Sequence, residues 1–160
     1  MTPALIFTRN DWSDKPIRAG TGDDAGHVGI LLGPSVVDTT LLHGVKRWDS
    51  ETWLAKRRHV QTIPVPAASA AHADRASAYL EQAVRENWRY DWLEILGFLL
   101  MRDLGDPNRP VCSSLARTWF ELQTGHQLDT RRGRTSPRLI RVAAGAYAAG
   151  LSTKLVQSQN

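Results

Sequence analysis

The chain changes character near residue 67, and that change constrains its fold more than any other feature. Upstream lie short β-branched and apolar runs broken by glycine and proline. They are "ALIFTR" (4–9), "HVGILL" (27–32), "SVVDTTLL" (35–42), "GVKRW" (44–48) and "HVQTIPVP" (59–66). Runs of this kind, bounded by turn residues, predict strands. "HVGILL" and "SVVDTTLL", joined through "GP", predict an antiparallel hairpin. Only "DSETWLAKR" interrupts the series, as a short helix with Asp49 or Ser50 as N-cap. Downstream the composition shifts. "AASAAHADRASAYLEQAVRENW" (67–88) is rich in Ala, Glu and Arg and predicts a helix, and "YDWLEILGFLLMRDL" (90–104) predicts a second, mostly buried one. "SSLARTWFELQTG" carries Leu115, Trp119 and Leu122 at helical spacing, with Gly125 as terminator. "SPRLIRVAAGAYAAG" (136–150) predicts a last helix. Strands first and helices after predict an α+β fold, with helices packed on one antiparallel sheet. At 160 residues the expectation is a single domain over 1–150, with 151–160 as a tail.

Several function classes recede on composition. Apolar residues are 42% and charged residues 22%, which is ordinary for a globular chain. The net charge of +4 is mild, and the one dense basic cluster, "RRGR" (131–134), has no aromatic interleaving. It reads as a solvated loop, so no nucleic-acid partner is expected. The most apolar stretch, "WLEILGFLLM", falls far short of the roughly 20 residues needed to cross a bilayer. "MTPALIFTRNDW" shows no positive region followed by a long apolar run. The reading is therefore no signal peptide, and a cytoplasmic location by default. The chain has no glycine-rich phosphate loop and no H-E-x-x-H pattern, so neither metal nor organic cofactor is expected.

The chemistry centres on Cys112, the only cysteine. A lone thiol forms no intramolecular disulfide and no thiolate zinc cage. Unpaired cysteines are often inert, buried filler. Cys112, however, sits where a loop turns into a helix, because Pro110 bars helix from upstream. The first helical turn offers free N–H groups and a dipole that favours a thiolate, the reactive form. The same N–H groups suit the oxyanion of acyl transfer.

A thiolate also wants an imidazole. His72 lies in an Ala-rich helix, His59 opens a strand and His126 follows a helix end, all surface or boundary places. His27 is different. It heads the apolar strand "HVGILL" after the long polar loop at 10–26, and Gly26 and Gly29 leave room for another element to approach. A third group should orient the ring. Asp38, a carboxylate inside "SVVDTTLL", needs a partner there. Should the hairpin turn hold two or four residues, His27 faces Thr40 and Asp38 lies on the same face, one diagonal step away. A three-residue turn brings Thr39 and His43 to that face instead. Asp38 is preferred, with His43 as runner-up.

These residues and their order resemble the circularly permuted NlpC-like branch of the papain-like cysteine hydrolases. That branch includes the YiiX-like and lecithin:retinol acyltransferase-like proteins. In it a strand histidine precedes the cysteine helix, as His27 precedes Cys112 in "HVGILLGPSVVDTTLLHGVKRWDSETWLAKR … YDWLEILGF … PVCSSLA". The resemblance spans roughly 4–140 and implies a permuted papain-like fold with a Cys112–His27–Asp38 triad. It implies hydrolysis of amide bonds, on cell-wall peptides or on lipid amides and esters. Acyl transfer or thioester hydrolysis on the same triad is an alternative. So is an inactive binding module within a phage or bacterial assembly. The chain departs from the pattern at Gly26, where Ser or Thr is common. It departs again at Val111, where the family has an aromatic residue, and at Ser114, where it has Glu. Tyr90 falls where the family often has an aromatic before the cysteine helix, as a cleft or core residue.

Overall fold

The computed structural model describes residues 1–9, 15, 18–19, 22–91, 110–128 and 135–150. Most of the loop at 10–26, nearly all of the helix expected at 90–104, "RRGR" at 131–134 and the tail at 151–160 lie outside the described residues.

Among the described residues five strands form one antiparallel sheet. They are β1 (Ala4–Arg9), β2 (His27–Leu32), β3 (Ser35–Thr40), β4 (Gly44–Asp49) and β5 (Arg58–Pro64), ordered β4-β3-β2-β1-β5. A short helix α1 (Ser50–Leu54) precedes β5, and α2 (Ala70–Arg85), α3 (Cys112–Thr124) and α4 (Pro137–Ala148) follow it. The architecture is the α+β arrangement expected, with helices on an antiparallel sheet. Among the described residues no helix is long and apolar enough to cross a membrane.

Strand alternation sorts the sheet into two faces. On one, Leu5, Phe7, Val28, Ile30, Val37 and Val45 join Leu80, Leu115, Phe120 and Ile140 from the three long helices in the main core. On the other, Ile6 and Val36 pack with Trp53 of α1 in a smaller cluster. β1 lies inside the sheet, between β2 and β5, and is covered on both faces, which is why "ALIFT" is almost wholly buried rather than alternating.

Local chemistry sets the element ends. Asp49 caps α1, accepting from the Thr52 N–H at 2.9 Å. Ser69 caps α2, which starts at Ala70, three residues later than the composition suggested. The helix stops at Arg85, short of Trp88, where Asn87 turns left-handed at φ 48°. The Trp88 carbonyl then accepts from Val45 N–H at 2.8 Å. Gly44 has φ 63°, and a Cβ there would lie 2.4 Å from that carbonyl oxygen, so the close approach requires glycine. This turn ends β3 at Thr40, two residues before the expected limit, and leaves Leu41 and Leu42 exposed.

Candidate active site

The β2–β3 hairpin settles the register left open by sequence. Leu32 pairs with Ser35, Leu31 with Val36 and Ile30 with Val37, so the turn holds only Gly33 and Pro34. Gly33 takes φ 60°, as a two-residue primed turn requires of its first residue. Asp38 therefore shares a face with His27, and His27 Nε2 lies 2.7 Å from Asp38 Oδ1. His43 is not the partner. It sits in the exposed β3–β4 turn, with Nδ1 3.3 Å from Thr40 Oγ1 and its ring edge-on to Trp48.

The start of β2 is held from two sides. Gly26 N–H donates to the Thr8 carbonyl at 3.2 Å, and His27 then pairs with Thr8 across the β1–β2 ladder. Upstream, the buried Asp23 carboxylate is paired with Arg141 of α4. That ion pair ties the segment entering β2 to a helix.

Asp38 is wholly buried, and a buried carboxylate is tolerable only if its oxygens are engaged. Oδ1 faces His27. Oδ2 accepts from Trp53 Nε1 at 2.7 Å and from Arg57 Nη2 at 3.3 Å. The Arg57 guanidinium lies 4.3 Å above the Trp53 ring and donates to the Trp53 carbonyl at 3.2 Å. Trp53 and Arg57 are four residues apart, so the end of α1 and the turn after it bring both to one place. Gly29 makes this possible. A Cβ there would come within 2.7 Å of Val36 and 3.1 Å of Trp53. Sequence reasoning read "DSETWLAKR" only as a helix and missed both residues. The available signal was a tryptophan and an arginine at helical spacing, near a carboxylate in need of donors.

Cys112 is the first residue of α3, nearly buried, after Val111 in extended conformation. Its surroundings fix the helix start. The Thr39 hydroxyl donates to the Pro110 carbonyl at 3.3 Å, joining the end of β3 to the residues before the thiol. Ser113 donates to the Thr135 carbonyl at 2.9 Å. Ser114 Oγ accepts from the Val111 N–H at 3.0 Å, reaching back from the third helical position as a glutamate does in a capping box. Ser114 thus has a defined local task. Tyr90 is half-buried.

Cys112 belongs to the main core face, whereas His27 and Asp38 point to the Trp53 face. They come together at the end of the sheet where β2 begins, close enough for the Cys112 sulfur to act on the His27 ring. With Nε2 committed to Asp38, Nδ1 is the ring nitrogen left for sulfur. Burial is the largest influence on His27 and disfavours its charged form. The Asp38 carboxylate and the Cys112 sulfur together outweigh it, through charge and hydrogen bonds. The imidazole pKa is accordingly raised well above its ordinary value. Chemically, the arrangement can hold a proton on the imidazole beside a sulfur at a helix N-terminus. Comparison of the chain with family models, with curated proteins and with solved structures finds no match.

Proposed function

We propose that the protein is a cysteine hydrolase of amide bonds. One observation carries the reading: a mostly buried imidazole, clamped at 2.7 Å by a wholly buried carboxylate, lies beside a thiol in the first turn of a helix. In the proposed reaction the Cys112 sulfur attacks the amide carbon after its proton has passed to His27. The Cys112 backbone N–H donates to the resulting oxyanion. The His27 imidazolium gives its proton to the leaving nitrogen, and the amine departs. Water, deprotonated by His27, then attacks the thioester and frees the sulfur. Asp38 stays ionised and orients the ring.

The resemblance to permuted NlpC-like hydrolases supports the same chemistry and suggests cell-wall peptide amides, or lipid amides and esters, as substrates. An acyltransferase on these residues would differ in its products, moving the acyl group to an amine or alcohol. The departure from the pattern at Ser114 weighs little against activity, because that residue caps the helix.

The test is Cys112→Ala together with thiol labelling. The variant is expected to lose all hydrolysis, and parental Cys112 to react with iodoacetamide at pH 6 faster than a free thiol. Labelling slower than a free thiol, with Cys112→Ala as active as the parent, would sink the reading.

A further inference from the structure

The proposed chemistry accounts for Cys112, His27 and Asp38 but leaves Arg57 unexplained. Its side chain is 19% exposed, while that of Asp38 is 0% exposed and that of His27 14%. Three donors converge on the Asp38 carboxylate, and Arg57 is the one that carries a positive charge whatever the pH. We propose that Arg57 is a positioning and charge-balancing residue, supplying the fixed positive charge that offsets the Asp38 carboxylate while a proton moves between Cys112 and His27. The inference rests on the thiol–imidazole reading above.

Charge counting carries the argument. With Arg57 present, a cationic guanidinium, an anionic Asp38, a neutral imidazole and a thiol sum to zero. Moving the proton from Cys112 sulfur to His27 gives guanidinium, carboxylate, imidazolium and thiolate, again summing to zero. Both proton arrangements are neutral, so neither leaves an uncompensated charge in a closed site. Without Arg57 both carry one net negative charge. The neutral alternative is then an imidazolium beside an un-ionised thiol, which requires a proton from solvent. That state cannot attack a carbonyl.

Geometry supports a built role. The stack on Trp53 and the bond to the Trp53 carbonyl hold the guanidinium in place, and the Trp53 indole takes the same carboxylate oxygen. The groups bearing on His27 are Asp38 from β3, Cys112 from α3 and, through Asp38, Arg57 from the turn after α1. Thr8 of β1 lies opposite and is uncharged.

The experiment is an NMR titration of the His27 ring in the parent, Arg57→Gln and Arg57→Lys, with Cys112 alkylation by iodoacetamide at pH 6 measured in parallel. Arg57→Gln is expected to raise the His27 midpoint by about one pH unit and to slow alkylation several-fold. Arg57→Lys is expected to stay within a few tenths of a unit of the parent. A glutamine variant that titrates with the parent, or below it, overturns the proposal. A lower midpoint would mean that Arg57 only clamps Asp38. The titration does not depend on turnover, so a protein without amide hydrolysis but with the upward shift would lose the hydrolase reading and keep the role of Arg57. If Arg57→Gln does not fold, the Asp38→Asn/Arg57→Gln double variant decides. Removing both charges is expected to restore folding, and a double variant that also fails to fold overturns the proposal.

Discussion

The two faces of the sheet are built from the same strands and do different work. One face is covered by α2, α3 and α4 and filled with Leu, Val, Ile and Phe side chains. The other has a small cluster under the five-residue α1, and within it lies the carboxylate that bonds His27, Trp53 and Arg57. The large apolar face can hold the fold with no help from charge. The small face can hide a charge because one tryptophan roofs it, the Arg57 guanidinium compensates it and His27 hydrogen-bonds to it. Cys112 links them, rooted in the first and reaching the second at the end of β2.

Deleting bulk from the large face should produce the largest change in stability. Phe120→Ala removes a wholly buried ring and is expected to cost about 4 kcal/mol. Urea unfolding measures this loss, and the His27 titration in the folded fraction should not move. A shifted titration would show that the faces are not separable.

Asp38→Asn strikes the small face. It leaves Arg57 without its carboxylate in a mostly buried setting and is expected to cost about 3 kcal/mol. It also has a pH signature. In the parent, His27 holds its proton more tightly folded than unfolded. Its contribution is therefore whole below about pH 6.5 and fades as pH rises through the higher folded value. Asp38→Asn removes the foremost raising influence, so the His27 midpoint should fall and this fading should flatten. Unfolding free energies at pH 6 and pH 8.5 test the sign. An unchanged difference between the two would separate Asp38 from the titration of His27.

The smallest effect belongs to the junction. Ser114→Ala deletes the hydroxyl that accepts from Val111 N–H and is expected to cost about 1 kcal/mol. In a chain of this length that is a fall in Tm of roughly 2–4 °C. Alkylation of Cys112 should slow as the first turn frays. A variant with the parental Tm and parental labelling would leave the capping role without consequence.

Much of the site was legible because its residues are locally out of place. His27 opens an apolar strand, Asp38 interrupts one, and Cys112 follows a proline at a helix start. Each is a conflict between a residue and its segment, and such conflicts can be read without coordinates. Trp53 and Arg57 escaped notice because nothing about them is out of place in a short amphipathic helix. Their importance comes from a carboxylate two elements away in the chain. The short β3 was equally hidden, since Leu41 and Leu42 suit a strand, yet they stand in the turn that closes with Thr40 paired to Gly44.

By itself the sequence determined the types and order of the elements that lie among the described residues, and the α+β class. These follow from periodicity, turn residues and caps, which act over a few neighbouring positions. It also determined which side chains were in need of partners. Tertiary structure decided who the partners are. Whether Asp38 or His43 meets His27 hangs on one residue of hairpin register, and a single slip would have turned every side chain of β3 to the other face. The meeting of Cys112 with His27 depends on packing a helix from one face against the end of a strand whose histidine points to the other. Contacts of that kind join residues far apart in the chain, and no local pattern encodes them.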